Sequence, residues 1–263
     1  MDENNFFSIN FSTTKSDNSW RKNNEVDSTQ FALKHGHIFE DDATLESELS
    51  YTQSNVQLPA SMTQSEFNAF KSSGKQGNTS SSWQHSSRDS KILFFNTKYE
   101  KELGDLTLKP RLYINNWEHF HPVTAMINDS NDNIVFGTDL EANYAHKLFS
   151  NEASLVFGVT AKQDRTRDSK KYTYKDYNTV GGGNQSISET LSRTKGDLAN
   201  TEDSTATLYG VYALESFRPN EKTLIDLSLR VDRISFDVDG NEILAYNWSG
   251  ASYFGHTQTY NAG

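Results

Sequence analysis

Apolar residues in this chain recur at every second position, in runs separated by polar connections. Leu45, Leu49 and Tyr51 alternate with Glu46, Glu48 and Ser50, and Leu106, Leu108, Leu112 and Ile114 with Lys109, Arg111 and Asn115. Ile134, Phe136, Leu140, Ala142 and Tyr144 stand against Asp139, Glu141 and Asn143, and Leu155, Phe157, Val159 and Ala161 against Ser154, Thr160 and Lys162. Ile225, Leu227, Leu229 and Val231 interleave with Asp226, Ser228, Arg230 and Asp232. In the segment before them, Leu208, Gly210, Tyr212 and Leu214 read as the apolar parity. Period two predicts strands with one apolar and one polar face. About nine segments follow, near 5–14, 28–39, 43–57, 89–102, 105–118, 133–148, 153–170, 205–218 and 223–238, with a tenth beginning near Tyr246.

The connections sharpen the picture. Four are tight: Glu40-Asp41-Asp42, Leu103-Gly104-Asp105, Phe149-Ser150-Asn151-Glu152, and 218–222. Three are long, at about 58–88, 119–132 and 171–204, and a shorter one covers 15–27. Long and tight connections alternate, so an antiparallel meander gathers all tight turns at one end of the sheet. Soluble sandwiches have no reason to segregate loop length by end, whereas outer-membrane barrels do. "MTQSEFNAFKS" in the first long connection predicts a short helix capped by Thr63 or Ser61.

Composition fits a wetted sheet better than a conventional core. Only 34% of residues are hydrophobic and mean hydropathy is -0.74. The aromatic content of 12% and the long alternating runs argue against disorder throughout. A net charge of -10 without a basic stripe makes nucleic acid an unsuitable partner. With no Cys there is no disulfide or thiolate chemistry. No apolar run approaches the roughly 20 residues of a membrane helix, a test that barrel strands escape. "MDENNFFSINF" has neither the basic nor the apolar region of a signal peptide.

The motifs point away from catalysis. Glu46, Glu48, Asp139, Glu141, Glu215, Asp226 and Asp232 read as a wetted strand face, opposite cations such as Arg111 and Arg230. His119 and His121 flank Phe120 at the rim of a long connection but have no third ligand at a fitting spacing, so no metal site is assigned. His35 and His37 suit an interface girdle, as do Tyr51, Tyr99, Tyr113, Trp117, Tyr144, Tyr172, Tyr174, Tyr209 and Tyr212. "DVDGNE" at 237–242 has its Gly too early for a calcium loop and reads as a β-turn, and "NDSNDN" at 128–133 lacks the Gly. "GGG" at 181–183 has no strand-turn-helix context for a phosphate cradle. There is no catalytic constellation and no cofactor motif; the chain reads as a non-enzyme.

"LYGVYALESFRPNEKTLIDLSLRVDRISF" resembles the hairpin that recurs in TonB-dependent outer-membrane receptors, with a Pro/Asn turn and a rising strand carrying Leu227, Leu229, Arg230 and Asp232. "KYEKELGDLTLKPRLYINNW" and "NYAHKLFSNEASLVFGVTAKQDRTRD" resemble neighbouring hairpins of such a barrel. The resemblance covers most of the chain. It implies an all-β fold: an antiparallel up-and-down transmembrane β-barrel, present in part, with nine to ten strands of a larger barrel over 1–263. The plug and signal peptide of the family are not found here. It also implies the bacterial outer membrane, contact with its lipid, coupling to TonB through the missing N-terminal region, and ferric siderophores or similar scarce nutrients as ligands. "FRPN" at 217–220 matches a haem-receptor motif in letters only, because it falls in a tight turn. Ligand in this family is met at the extracellular rim, which places the candidate contacts at Trp83, His85, Trp117, His119, His121, Tyr172, Tyr174 and Tyr177. Arg165 and Arg167, with Lys170 and Lys171 beside them, supply positive charge. A passive porin-type barrel and a soluble β-rich binding or adhesin module remain open alternatives.

Overall fold

The computed structural model of the protein describes residues 4–77, 79–124, 126–180, 186–243, 247–248 and 251–252. Nine strands form one antiparallel sheet: β1 (Asn5–Ser16), β2 (Val26–Ile38), β3 (Thr44–Gln57), β4 (Ser87–Leu103), β5 (Leu106–Val123), β6 (Met126–Leu148), β7 (Asn151–Tyr174), β10 (Lys195–Asn220) and β11 (Thr223–Glu242). Each pairs with its predecessor, the order broken only where β8 (Tyr177–Val180) and β9 (Ser186–Thr190) form a separate hairpin between β7 and β10. Among the described residues beyond β11 are the two-residue strands β12 (Asn247–Trp248) and β13 (Ala251–Ser252), paired with each other. Tyr246, where a tenth strand was expected to begin, and the glycines 181–183 lie outside the described residues.

Tight turns do gather at one end, each with its own local reason. Asp42 adopts a positive φ of 61° and donates its amide to Phe39 O at 3.1 Å. Gly104 sits at φ 64° between Leu103 and Leu106, where a side chain would be strained. Phe149 and Ser150 take φ 50° and 69°, the doubly left-handed conformation whose twist matches the flanking strands. Before the last turn the β10–β11 register slips between Phe217 and Asn220, so Pro219, which has no N–H, falls in the irregularity. Pro110 likewise coincides with a gap in the β4–β5 ladder between Lys98↔Arg111 and Lys101↔Leu108.

The registers carry one apolar face across the whole sheet. Ile9, Leu33, Leu49, Phe95, Ile114 and Phe136 follow one another from β1 to β6. Leu140, Val159, Val211 and Val231 continue it from β6 to β11. All of these side chains but the half-buried Leu33 are exposed, Leu227 beside them to 74%. The exposed apolar face thus runs unbroken from β1 to β11, opposite a polar one. Among the described residues no helix is long and apolar enough to cross a membrane, which says nothing of a barrel.

Two sequence expectations about faces are corrected by the registers. Val211 pairs with Val231 and Ala213 with Leu229, so the odd residues of β10 share the apolar face. Leu208, Gly210, Tyr212 and Leu214 therefore lie on the polar side. Glu215, expected on that polar side, instead pairs with Leu155 and Leu227 on the apolar face, where it meets His146 Nε2 at 3.0 Å beside the stacked Tyr144 ring.

The strands also run further than the alternation indicated. The segment 119–132, expected as a long connection, is instead the outer part of β5 and β6, and 195–204 belongs to β10. "DVDGNE" is not a turn but the end of β11, with Gly240 opposite Glu202. Beyond the apolar band both faces are polar, so backbone pairing continues without a period-two signal. The helix is found as expected: α1 (Gln64–Ser73) has a capping box in which Thr63 Oγ1 accepts from Glu66 N at 3.2 Å and Glu66 accepts from Thr63 N at 2.7 Å. That bond holds the Glu66 carboxyl below its ordinary pKa.

Candidate functional site

The polar face is a belt of paired charge at mid-height. Glu100 takes Lys98 at 2.9 Å and Lys109 at 3.2 Å. Asp139 accepts from Thr160 and lies 3.9 Å from Arg111, whose Nε donates to Asn96 at 2.7 Å. The Tyr212 ring crosses Gly158, where a Cβ would collide with it, and its hydroxyl donates to Glu141 at 2.9 Å. Arg230 closes the row on Asp232 at 2.8 Å. Neighbouring strands bring residues far apart in sequence into this network. Among the described residues no group of three or more His, Asp or Glu is arranged to hold a metal.

Above the belt, β5 aligns three rings on the same face. Trp117 and His119 lie 5.7 Å apart, and His119 and His121 stack at 5.2 Å. The alignment depends on a bulge in the neighbouring strand: the β5–β6 register shifts between Trp117↔Asn133 and His119↔Ser130, so the extra residue is in β6 and β5 keeps its parity. Asn133 holds the bulge. Fully buried, it donates to Trp117 O at 2.9 Å and Ser130 O at 3.0 Å, and accepts from Ser130 Oγ at 2.8 Å. The "NDSNDN" run that fails as a calcium loop thus sets the geometry of the ring stack. His121 Nδ1 meets Ser87 O at 2.8 Å. His119 Nε2 has no hydrogen-bond partner and is screened from solvent. Burial, with His121 and Arg88 adding positive charge, lowers the His119 pKa and keeps the ring neutral. A neutral, stacked, partly buried ring stripe can supply flat apolar contact and an imidazole hydrogen bond.

The other candidates fall into separate places. Arg165 pairs with Ile134 and Thr205, on the face opposite Trp117, which pairs with Asn133. Arg167 lies opposite Asp132. Neither supplies charge to the ring stripe. Tyr172 carries the Lys195 ammonium 4.9 Å from its ring centroid. Tyr174 is only 1% exposed, and burial pushes its hydroxyl up to about 12; packed this way, the ring offers no rim surface. Trp83 forms part of a 3-10 turn (Ser81–Trp83), its carbonyl accepting from Asn23, and half-buried His85 follows it. Tyr177 begins β8 and is exposed.

A second constellation was not visible in the sequence. The β7–β10 connection folds back over β6 and β5 to β4, where Arg193 pairs with Asp89, while Lys195 at the start of β10 pairs with Asp129 of β6. Both cations sit over Phe120, at 5.3 and 5.9 Å. Gln84 also donates to Thr190 O, tying this connection to the one between β3 and β4. A cleft of about 420 Å³ under Arg193 is lined by Asn55, Asp89, Lys91, Glu118 and Phe120. The partners lie 66 and 104 residues apart in sequence, so no local pattern could have joined them.

No known family model and no curated protein matches this sequence. Solved structures do resemble the fold. The ferric citrate transporter FecA in its unliganded form superposes with a TM-score of 0.72 at 13% identity, over 100% of this chain and 36% of that one. The ferric-catecholate import receptor Fiu from E. coli K12, open form, gives 0.68 at 11% identity over 99% of this chain and 47% of that one. The siderophore receptor PiuA from Acinetobacter baumannii gives 0.66 at 15% identity over 99% and 42%. The chain thus spans less than half the length of these neighbours and has the fold of part of an outer-membrane β-barrel receptor. The neighbours are receptors and transporters rather than enzymes.

Proposed function

We propose that this chain is the barrel part of a TonB-dependent outer-membrane receptor that binds ferric siderophores or similar scarce nutrients and serves in their import. The observation that carries this reading is the combination of an exposed apolar band on one face, a charged belt on the other, and, at the end opposite the tight turns, a crown made of the β1–β2, β3–β4 and β7–β10 connections and the outer ends of β5 and β6. Residues 1–263 belong to one barrel domain in this reading. The apolar band contacts outer-membrane lipid, the charged belt faces the lumen, and the crown faces outward. Ligand is met by the stripe of Trp117, His119 and His121, with the exposed Tyr177 as a further contact. Coupling to TonB is made by parts of the receptor outside this chain. Large stacked rings suit a bulky chelate because they give contact area at low entropy cost.

The test uses the receptor carrying this chain. Replacing Trp117 and His119 together by Ala is expected to weaken ferric-siderophore binding about tenfold, the loss of one or two stacked contacts, with the protein still at its normal level in the membrane. Spin labels at Leu227 and Leu229 are expected to be quenched by a lipid-soluble reagent, and labels at Ser228 and Arg230 to be protected. Unchanged affinity removes the ring stripe as the ligand site. A reversed quenching pattern removes the barrel reading itself.

A further inference from the structure

β2 carries two histidines on one face, at the end of the sheet where the tight turns gather. His37 pairs with Asn5 of β1 and His35 with Phe7, in step with Ile9↔Leu33. All three polar side chains therefore stand on the face that carries the apolar band. Their donor atoms converge. His35 Nε2 lies 3.1 Å and His37 Nδ1 2.9 Å from the same atom, Asn5 Oδ1. Neighbouring rings hold both imidazoles in place: Phe7 stacks on His35 at 4.5 Å, and Phe39 meets His37 edge-on at 4.6 Å. Asn5, His35 and His37 are half-buried, so the cluster is packed yet still reached by solutes.

With nothing bound, each ring can donate one N–H to the amide oxygen. The same spacing suits an ion. Ligand atoms about 2.0–2.2 Å from one metal stand roughly 2.8–3.6 Å apart in octahedral or tetrahedral geometry. A tautomer change, with each proton moved to the ring's other nitrogen, turns both facing nitrogens into lone-pair donors. The histidine pair of equal spacing on β5 has no such arrangement. His119 and His121 stack at 5.2 Å, His121 Nδ1 is taken by Ser87 O, and His119 Nε2 is screened without a partner, so no third donor joins them.

We propose that His35, His37 and Asn5 form a site for a divalent transition-metal ion such as Zn2+ or Cu2+, with water completing the coordination. Two imidazoles select such ions over calcium and magnesium, which take oxygen ligands. The third ligand is an amide rather than a carboxylate, so the site lies outside the His, Asp and Glu groupings excluded above. With ligands from both strands, the ion clips β1 to β2 at their tight-turn ends. The site stands independently of import, since it needs only this hairpin.

The test is equilibrium dialysis of the untagged full chain in detergent micelles against Zn2+, Cu2+ and Mg2+ in turn. Zn2+ is expected to bind, Cu2+ more tightly, and Mg2+ not at all. His35→Gln and His37→Gln keep a polar side chain in place. Each is expected to lower Zn2+ affinity at least about tenfold, since changes to mere outer-shell partners already cost that much. Asn5→Asp is expected to tighten Zn2+ binding, a gain that a purely structural hydrogen bond does not give. His119→Ala with His121→Ala is expected to leave it unchanged. The bound Cu2+ is expected to show coupling to two imidazole nitrogens by electron paramagnetic resonance, and Zn2+ to slow hydrogen exchange in 5–16. Failure of both Zn2+ and Cu2+ to bind when supplied in excess overturns the proposal. Equal Zn2+ affinity in the parent and the His35 and His37 variants overturns it as well. So does loss through the His119 and His121 changes, which moves the ion to the stripe, and so does an Asn5→Asp variant that binds no more tightly than the parent.

Discussion

The apolar band and the crown of this sheet solve opposite problems. In the band the bulky residues Leu227, Leu229, Leu140 and Val159 point to the outside, and the charges gather on the inner face in pairs. In the crown the fully buried set is small and largely polar: Asn133, Thr190, Ser86 and Ser87, with Ile127, Pro122 and Tyr174. The band takes its stability from the surrounding solvent's character and from its ladders. The crown is wetted on its outside and holds its shape by side chains that cap backbone groups, as Asn23 and Asn133 do. One chain with one continuous set of strands therefore has two cores of different kind.

That contrast can be broken most forcefully from the band. Leu229→Arg is expected to cost about 2–4 kcal/mol when the protein is unfolded from phospholipid vesicles, whereas Ser228→Arg one residue away costs little. Equal effects would mean that the two faces are not differently solvated. Next in size is Asn133→Ala, which strands the carbonyls of Trp117 and Ser130. A loss of about 1–3 kcal/mol is expected, confined to faster hydrogen exchange in 117–133, with exchange in 223–231 unchanged. Removal of the cap by Thr63→Ala comes third, at about 1 kcal/mol, read as faster proteolysis within 64–73.

The smallest effect is expected from pH. The folded pKa of His119 lies below its unfolded value near 6.5. The unfolded chain then binds more protons between the two values. The contribution to stability is full above about pH 6.5 and is lost as pH falls toward the lower folded value. Acidification from pH 7 should loosen the crown around 117–121, measured by exchange. His119→Gln should abolish that response, and an unaltered response would place the titrating group elsewhere.

Legibility followed the same division. Nine strands could be read because a sheet with one apolar and one polar face must alternate, and because Gly104 and the Phe149-Ser150 turn punctuate it. Where both faces meet water the alternation ends, and the outer parts of β5, β6 and β10 carry the polar pattern of a loop in sequence. β10 was assigned to the wrong face because both of its parities carry apolar residues, and only the pairing Val211↔Val231 decides between them. At the candidate site, the His119 and His121 spacing was visible from β5 alone. The pairings of Arg193 with Asp89 and Lys195 with Asp129 were not, since they arise when a connection folds back across three strands.

The outermost strands carry a consequence for assembly. Among the described residues β1 pairs only with β2, and β11 only with β10, so each has a free margin. Along the roughly ten residues that cross hydrocarbon, about half the backbone N–H and C=O groups of such a margin point sideways, each costing several kcal/mol if left bare. No benefit from burying Leu227 or Ile9 in lipid offsets two bare margins. In the barrel reading proposed above, entry into the bilayer is coupled to seam closure: the margins of β1 and β11 find strand partners before, or as, the sheet leaves water. In that reading two lines of backbone, rather than the side chains that give the band its hydrophobicity, set the order of events in insertion.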